Sequence, residues 1–246
     1  MRYSVLNETP QRPFGPLFLR VELKRDKEFH FQDWFENRLN NLGLAFDPPA
    51  RITYPDFRFI EVPLGFEVKG LGFPGREANF DSNSQVPTGL HNKRTIYYVF
   101  GRYPSEDVGN ELAVYDLILC HGDFLNADHE YSHKNKNIKG FGSYGDIMIR
   151  DRKMYVCPTP YVITTGTQRQ VTLIMPEDVK VEDVELANVG ELVRTECEEI
   201  IVGYSFNLKN NDLNPVKEAN PRQAKVHRFI AYKLVEFEKI SVGMTK

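Results

Sequence analysis

The segment YPDFRFIEVPLGFEVKGL, residues 54–71, carries the clearest folding pattern in the chain. Apolar and polar side chains alternate over residues 57–62, as is typical of a strand buried on one face. Residues 63–65, Pro-Leu-Gly, are turn formers, and residues 66–71 return to an extended pattern. The segment therefore predicts two adjacent antiparallel strands joined by a short turn.

Three charged residues stand at matching places on this predicted hairpin. Successive side chains of a strand point to opposite faces, so Glu67 and Lys69 share one face. Asp56 stands at the entrance of the first strand, and we expect it to lie across from the Lys69 end of the second. The hairpin therefore predicts that two carboxylates and one ammonium group converge.

These residue types suit metal-dependent hydrolysis of a phosphodiester. Mg²⁺ prefers oxygen ligands, typically one or two carboxylates with waters and a phosphate oxygen. A bound metal lowers the pKa of its water and holds the phosphate. We expect Asp56 and Glu67 to bind the metal, with the carbonyl of Val68 as a further ligand. Lys69 would orient the attacking water or stabilise the developing charge.

The pattern Pro55-Asp56 followed by Glu67-Val68-Lys69 resembles the PD-(D/E)XK nuclease superfamily, and within it the type II restriction endonucleases. No position of this short motif departs from the family pattern. The resemblance implies an α/β fold in which a mixed central β-sheet is flanked by helices, a restriction-endonuclease-like core. It also implies double-stranded DNA as the substrate and Mg²⁺ as the cofactor. In that family the Asp and the Glu bind the metal, and the Lys assists the attacking water.

Two further expectations follow from this resemblance. Members of the superfamily often place an acidic residue from an early helix near the metal. Residues 28–44 predict such a helix, because their apolar residues recur at helical spacing and Gly43 follows as a stop signal. Glu36 in this helix is thus a candidate additional metal ligand. Enzymes that cut a symmetric site commonly act as homodimers, and we expect a homodimer here.

Contacts with DNA are expected from two parts of the chain. Residues 70–89 predict a long polar loop that leaves the site, followed by a basic pair, and residues 222–228 are rich in basic side chains. Arg pairs well with guanine, and Asn or Gln with adenine. The candidates for DNA binding are Arg76, Asn79, Asn83, Gln85, Lys93, Arg94, Arg222, Gln223, Lys225 and Arg228.

The length fits one nuclease domain spanning residues 1–246, with residues 171–246 as a β-rich C-terminal addition that recognises DNA. Strands are predicted at residues 200–206 and 226–237. Alternating Val and Glu over residues 179–185 suit a strand edge, whereas residues 189–193 could begin a short helix.

The overall composition excludes some classes of protein. The formal net charge is −3, so the chain lacks the strongly basic character that many nucleic-acid-binding proteins show. Its three cysteines are widely spaced, which indicates neither a disulfide framework nor a zinc ribbon and favours a cytoplasmic location. The sequence shows neither a signal peptide nor an apolar run of membrane-spanning length, so we expect no membrane partner.

Three alternatives stand beside the restriction-enzyme hypothesis. A repair or recombination nuclease of the same superfamily would recognise DNA structure instead of sequence. A non-catalytic protein would use Glu67 and Lys69 as a surface ion pair. Residues 129–133, His-Glu-Tyr-Ser-His, match the zinc-protease pattern H-E-x-x-H, but their polar, turn-prone flanks disfavour the helix that this chemistry needs.

Overall fold

The computed structural model describes most of the central part of the chain. The described residues are 18–20, 27–50, 53–82, 86–105, 111–127, 155–164, 166–207, 210 and 212–235. The H-E-x-x-H pattern of residues 129–133 lies outside these ranges.

Strands dominate the described residues. The strands are β1 (Phe18–Arg20), β2 (Phe46–Asp47), β3 (Phe57–Phe59), β4 (Leu64–Phe73), β5 (Asn79–Ser82), β6 (Leu90–His91), β7 (Arg94–Pro104), β8 (Glu111–Ala113), β9 (Asp116–His121), β10 (Tyr155–Pro158), β11 (Val171–Pro176), β12 (Leu186–Thr195), β13 (Glu199–Asn207), β14 (Asp212–Ala219) and β15 (Val226–Leu234). The helices are α1 (Lys27–Asn41), α2 (Pro160–Ile163) and a 3₁₀ turn (Gly122–Phe124).

Among the described strands, nine form one central sheet in the order β12-β15-β11-β9-β7-β4-β3-β2, with β6 beside β7. Strands β4 and β7 are parallel, as are β9 and β11, whereas the other neighbours are antiparallel. The expected α/β fold with a mixed central sheet is therefore confirmed. Helices are fewer than expected, because within the described ranges only α1 is longer than one turn.

Helix α1 covers one face of the sheet. Its buried apolar stripe contains Phe31, Trp34, Phe35 and Leu39, and the ring of Phe35 packs edge-on against Phe66 of β4. A Cβ atom at Gly70 would lie 2.7 Å from the Cβ atom of Phe31, so the helix and β4 approach closely. The stripe predicted from sequence is thus confirmed.

The opposite face carries a second core. Leu71 of β4, Tyr98 and Phe100 of β7 and Phe80 of β5 are buried there. Because side chains alternate along β4, Glu67 and Lys69 point to this second face and away from α1. The ribbon formed by β5 and β10 therefore lies on the same side of the sheet as the two charged residues.

The predicted hairpin is present with shifted bounds. Strand β3 ends at Phe59, and residues 60–62 form an exposed turn, whereas β4 runs on to Phe73. The region expected to be one long loop, residues 70–89, also contains β5. The expectation of a wholly irregular loop was wrong, because residues 79–82 pair with β10.

The C-terminal region is less separate than the sequence suggested. Strands β11, β12 and β15 belong to the central sheet, while β13 and β14 pair with each other in a separate ribbon. Residues 179–185 form turns and coil, not a strand, and residues 189–193 lie in β12, not in a helix. These residues are extended because β12 pairs with β15 along residues 186–195.

None of the described helices is both long enough and apolar enough to cross a lipid bilayer. The three cysteines, Cys120, Cys157 and Cys197, are free thiols.

Candidate active site

The register of β3 and β4 brings the three predicted residues together. Phe57 pairs with Phe66, so Asp56 stands opposite Glu67 at the end of the ladder. The Asp56 N–H donates to Glu67 Oε2 at 3.2 Å, and Lys69 Nζ lies 2.8 Å from Glu67 Oε1. Asp56 therefore lies across from Glu67 itself, two residues from the position expected.

The main chain of Val68 contacts the acidic pair. Its N–H donates to Asp56 Oδ2 at 2.9 Å, in place of a further main-chain bond to β3. In an antiparallel pair the N–H and C=O of one residue face the same neighbouring strand. The carbonyl of Val68 is thus directed to the same side of β4 as Asp56, as a further metal ligand would require.

The ion pair of Glu67 and Lys69 is largely buried. The side chain of Lys69 is 16% exposed and that of Glu67 is 13% exposed. This differs from the exposed surface pair that a non-catalytic reading of the motif assumed. Charges in such a position are less screened by solvent, and their interaction is stronger than that of exposed pairs.

Neighbouring groups respond to these charges. Burial raises the pKa of the Tyr54 phenol, and the negative charges of Glu67 and Asp56 raise it further. Burial raises the pKa of the Cys157 thiol to about 11, with a further increase from Asp81 and a decrease from Lys69. Cys157 therefore stays protonated at neutral pH and is a poor nucleophile.

Close packing of Pro55 on Gly65 fixes the position of Asp56. A Cβ atom at Gly65 would lie 2.4 Å from Pro55 Cγ and 3.1 Å from the Phe57 carbonyl oxygen. Any side chain larger than hydrogen would displace the proline ring, and with it the adjacent carboxylate. Glycine at this position therefore helps to keep Asp56 next to Glu67.

We expect Gly65→Ala to lower the free energy of unfolding by about 1–3 kcal/mol, because the new methyl group overpacks a rigid ring. Gly72→Ala in the same strand is the matched control, since its Cβ would meet Ser105 Cβ at an ordinary 3.5 Å. The control should change stability by less than about 0.5 kcal/mol. Urea unfolding of both variants measures the difference, and equal losses would contradict the proposed role of Gly65.

Glu36 does not join the acidic pair. It lies on α1, on the face of the sheet opposite to Glu67, and burial together with Asp33 raises its pKa. Within the described ranges, no group of three or more His, Cys, Asp or Glu side chains is arranged to hold a metal ion. Asp56 and Glu67 thus form a two-carboxylate set, and Mg²⁺ commonly binds to one or two carboxylates while keeping its other positions for waters and phosphate.

Several candidates for DNA binding have partners within the protein. Arg94 donates to the carbonyls of Phe59 at 2.6 Å and Val62 at 3.4 Å, so it ties down the turn between β3 and β4. Arg222 donates to the carbonyl of Ala127 at 3.2 Å. Arg228 forms an exposed ion pair with Glu191. These contacts give the three arginines structural roles that the sequence did not indicate.

The other candidates are more accessible. Lys93 is exposed in the two-residue turn between β6 and β7, where Asn92 and Lys93 both have positive φ. Asn79 is exposed at the start of β5, opposite Pro158. Arg76, Gln223 and Lys225 are also exposed. Asn83 and Gln85 lie outside the described residues.

Sequence reasoning missed two tyrosines at the site. The Tyr54 and Tyr98 hydroxyls lie 2.9 Å apart, and the register of β4 with β7 sets Tyr98 beside Glu67. Tyr54 directly precedes the Pro-Asp motif, which is a signal that could have drawn attention to it. Tyr98 gives no comparable signal, because its proximity depends on the pairing of two strands that are distant in sequence.

Comparison with protein-family models, with curated proteins and with solved structures finds no match to this chain.

Proposed function

We propose that this protein is a Mg²⁺-dependent endonuclease that hydrolyses phosphodiester bonds of double-stranded DNA at a specific sequence, as type II restriction enzymes do. The observation that carries the proposal is the convergence of Asp56, Glu67 and Lys69 on one largely buried patch of the sheet. A mixed sheet with α1 on the face opposite to this patch is compatible with a restriction-endonuclease-like core.

Asp56 and Glu67 would hold the metal, with the Val68 carbonyl directed to the same side. A bound Mg²⁺ would supply a more acidic water and neutralise charge on the phosphate. The Val68 N–H holds the Asp56 carboxylate, and the Asp56 N–H holds that of Glu67, so both ligands are oriented by main-chain donors before any ligand binds.

Lys69 would supply the positive charge of the site. Its ammonium group, 2.8 Å from Glu67, can hold the attacking water and offset negative charge that develops on the phosphate oxygens. Because the pair is largely buried, this charge acts in surroundings where electrostatic stabilisation is stronger than in bulk water.

DNA would approach from the accessible candidates Arg76, Asn79, Lys93, Gln223 and Lys225. Local basic and amide side chains can bind phosphates and bases even when the whole chain has a net charge of −3. A homodimer would match a two-fold symmetric site. A cytoplasmic location belongs to the same proposal, because free thiols are typical of reducing compartments.

The test is incubation of the purified chain with mixed-sequence plasmid DNA, with MgCl₂ or with EDTA. We expect discrete fragments with Mg²⁺ and intact DNA with EDTA. Cleavage only of branched or damaged DNA would favour the repair or recombination nuclease instead. Intact DNA under every condition, from a chain shown to be folded, would contradict nuclease activity and favour the non-catalytic alternative.

A further inference from the structure

Two tyrosine hydroxyls lie next to the acidic pair and have no part in the chemistry described above. Tyr98 of β7 is the register partner of Glu67 in β4. Its hydroxyl oxygen lies 2.9 Å from that of Tyr54, two residues before Asp56. The ring of Tyr54 also packs edge-on against His91, with the ring centroids 4.9 Å apart. Tyr54 is thus held from two sides beside both carboxylates.

Burial decides which tyrosine donates to the other. Tyr98 is 0% exposed, and within the described residues its hydroxyl forms a hydrogen bond with the hydroxyl of Tyr54. A buried hydroxyl without an acceptor is costly, so Tyr98 must donate to the oxygen of Tyr54. With its oxygen accepting from Tyr98, Tyr54 can donate its own hydrogen to another group.

The surroundings of Tyr54 suit a donor to a bound anion. Unlike Tyr98, it keeps part of its surface exposed. A tyrosine phenol keeps its hydrogen at neutral pH. A neutral donor can approach two carboxylates and a phosphate without adding negative charge.

We propose that the Tyr54 hydroxyl donates a hydrogen bond to a non-bridging oxygen of the phosphate that a Mg²⁺ held by Asp56 and Glu67 would bind, and that Tyr98 is a positioning residue that orients this hydroxyl. The inference rests on the proposed nuclease function and adds a substrate contact to it. The role of Tyr54 does not follow from the sequence motif. It follows from the pairing of β4 with β7 and from the burial of Tyr98.

The test compares single-turnover cleavage by Tyr54→Phe, Tyr98→Phe and the double variant, each with its melting temperature. We expect Tyr54→Phe to lower the single-turnover rate constant by about tenfold or more, as loss of a transition-state donor does, with half-saturation by Mg²⁺ unchanged. Tyr98→Phe should have a smaller effect, since Tyr54 then keeps its donor but loses its orientation.

The double variant separates catalysis from folding. Removing both hydroxyls leaves no buried hydroxyl without a partner, so the melting temperature of the double variant should lie above that of Tyr54→Phe, while its single-turnover rate constant stays as low. Tyr161→Phe is the matched control, because it also deletes a buried hydroxyl, one that donates to the Phe100 carbonyl at 3.3 Å. That variant should cleave at the unaltered rate.

Each result has one meaning. Cleavage by Tyr54→Phe within twofold of the unaltered chain, or recovery of the single-turnover rate constant together with stability in the double variant, would overturn the inference but would not contradict the proposed nuclease function. Absence of Mg²⁺-dependent cleavage by the unaltered chain would overturn the nuclease proposal and this inference with it.

Discussion

Lys69→Ala is expected to lower the single-turnover rate of DNA cleavage by about a hundredfold or more, because it removes the positive charge that would act on the reacting phosphate. The ammonium group of Lys69 lies 2.8 Å from Glu67 in a largely buried pair, where solvent screens little of its charge. Binding of uncleaved DNA in EDTA, measured by gel shift, should remain within a few-fold of the unaltered chain. The expected loss is therefore in the chemical step.

Lys217→Ala provides a matched control for this variant. Lys217 also pairs with a glutamate, Glu199, at 3.1 Å, but their side chains are 50% and 57% exposed. Exposed pairs contribute about 0–1 kcal/mol, so this variant should cleave DNA and unfold like the unaltered chain. Cleavage by Lys69→Ala within threefold of the control would exclude a catalytic role for Lys69. An unfolded Lys69→Ala chain would be replaced by Lys69→Met, which keeps the length of the side chain.

Local sequence patterns predicted the parts of the fold that depend on one element and its core. The stripe from Phe31 to Leu39 defined α1, since burial at a spacing of 3.6 residues is a property of the helix alone. Alternation along residues 66–71 likewise predicted that Glu67 and Lys69 share a face, and their 2.8 Å contact bears this out.

Features that depend on strand pairing could not be predicted in this way. The partner of Glu67 in β7 is Tyr98, and the β5–β10 ribbon brings Cys157 near Lys69. Neither pairing leaves a local signal, because each joins segments separated by many residues. The pattern of residues 189–193 allows a short helix for the same reason, since only pairing with β15 makes them a strand.

Basic side chains were the least predictable part of the candidate site. Arg94 follows Lys93 directly, and the sequence makes both candidates for contact with DNA. The guanidinium group of Arg94 donates to two carbonyls of the β3–β4 turn, while Lys93 is exposed. Sequence gives the charge of a side chain. Which group that side chain contacts depends on whether unpaired main-chain carbonyls lie within reach in the folded chain.

Asp56→Asn should separate the hydrogen bond that Asp56 accepts from the Val68 N–H from the binding of a metal, which we propose for its carboxylate. The asparagine amide oxygen can still accept the hydrogen bond that Asp56 Oδ2 accepts at 2.9 Å, but the negative charge is lost. We expect cleavage at saturating Mg²⁺ to fall by about a hundredfold, since the metal loses a charged ligand, whereas the free energy of unfolding changes by less than about 1 kcal/mol.

Asp56→Ala removes both the negative charge and the hydrogen-bond acceptor. It should lose as much cleavage as Asp56→Asn does. It should also lose about 1–3 kcal/mol of stability, because the Val68 N–H is left without its acceptor. Asp47→Asn is the matched control, since Asp47 lies in the neighbouring β2 and forms a looser contact with Arg58 at 3.6 Å. Urea unfolding and plasmid cleavage of the three variants give the comparison. If Asp56 only completes the hydrogen bonding of β4, cleavage will follow stability, and Asp56→Asn will cut DNA as fast as Asp47→Asn. If the carboxylate binds the metal, Asp56→Asn will keep its stability and lose cleavage, because this variant retains the hydrogen bond but not the charge.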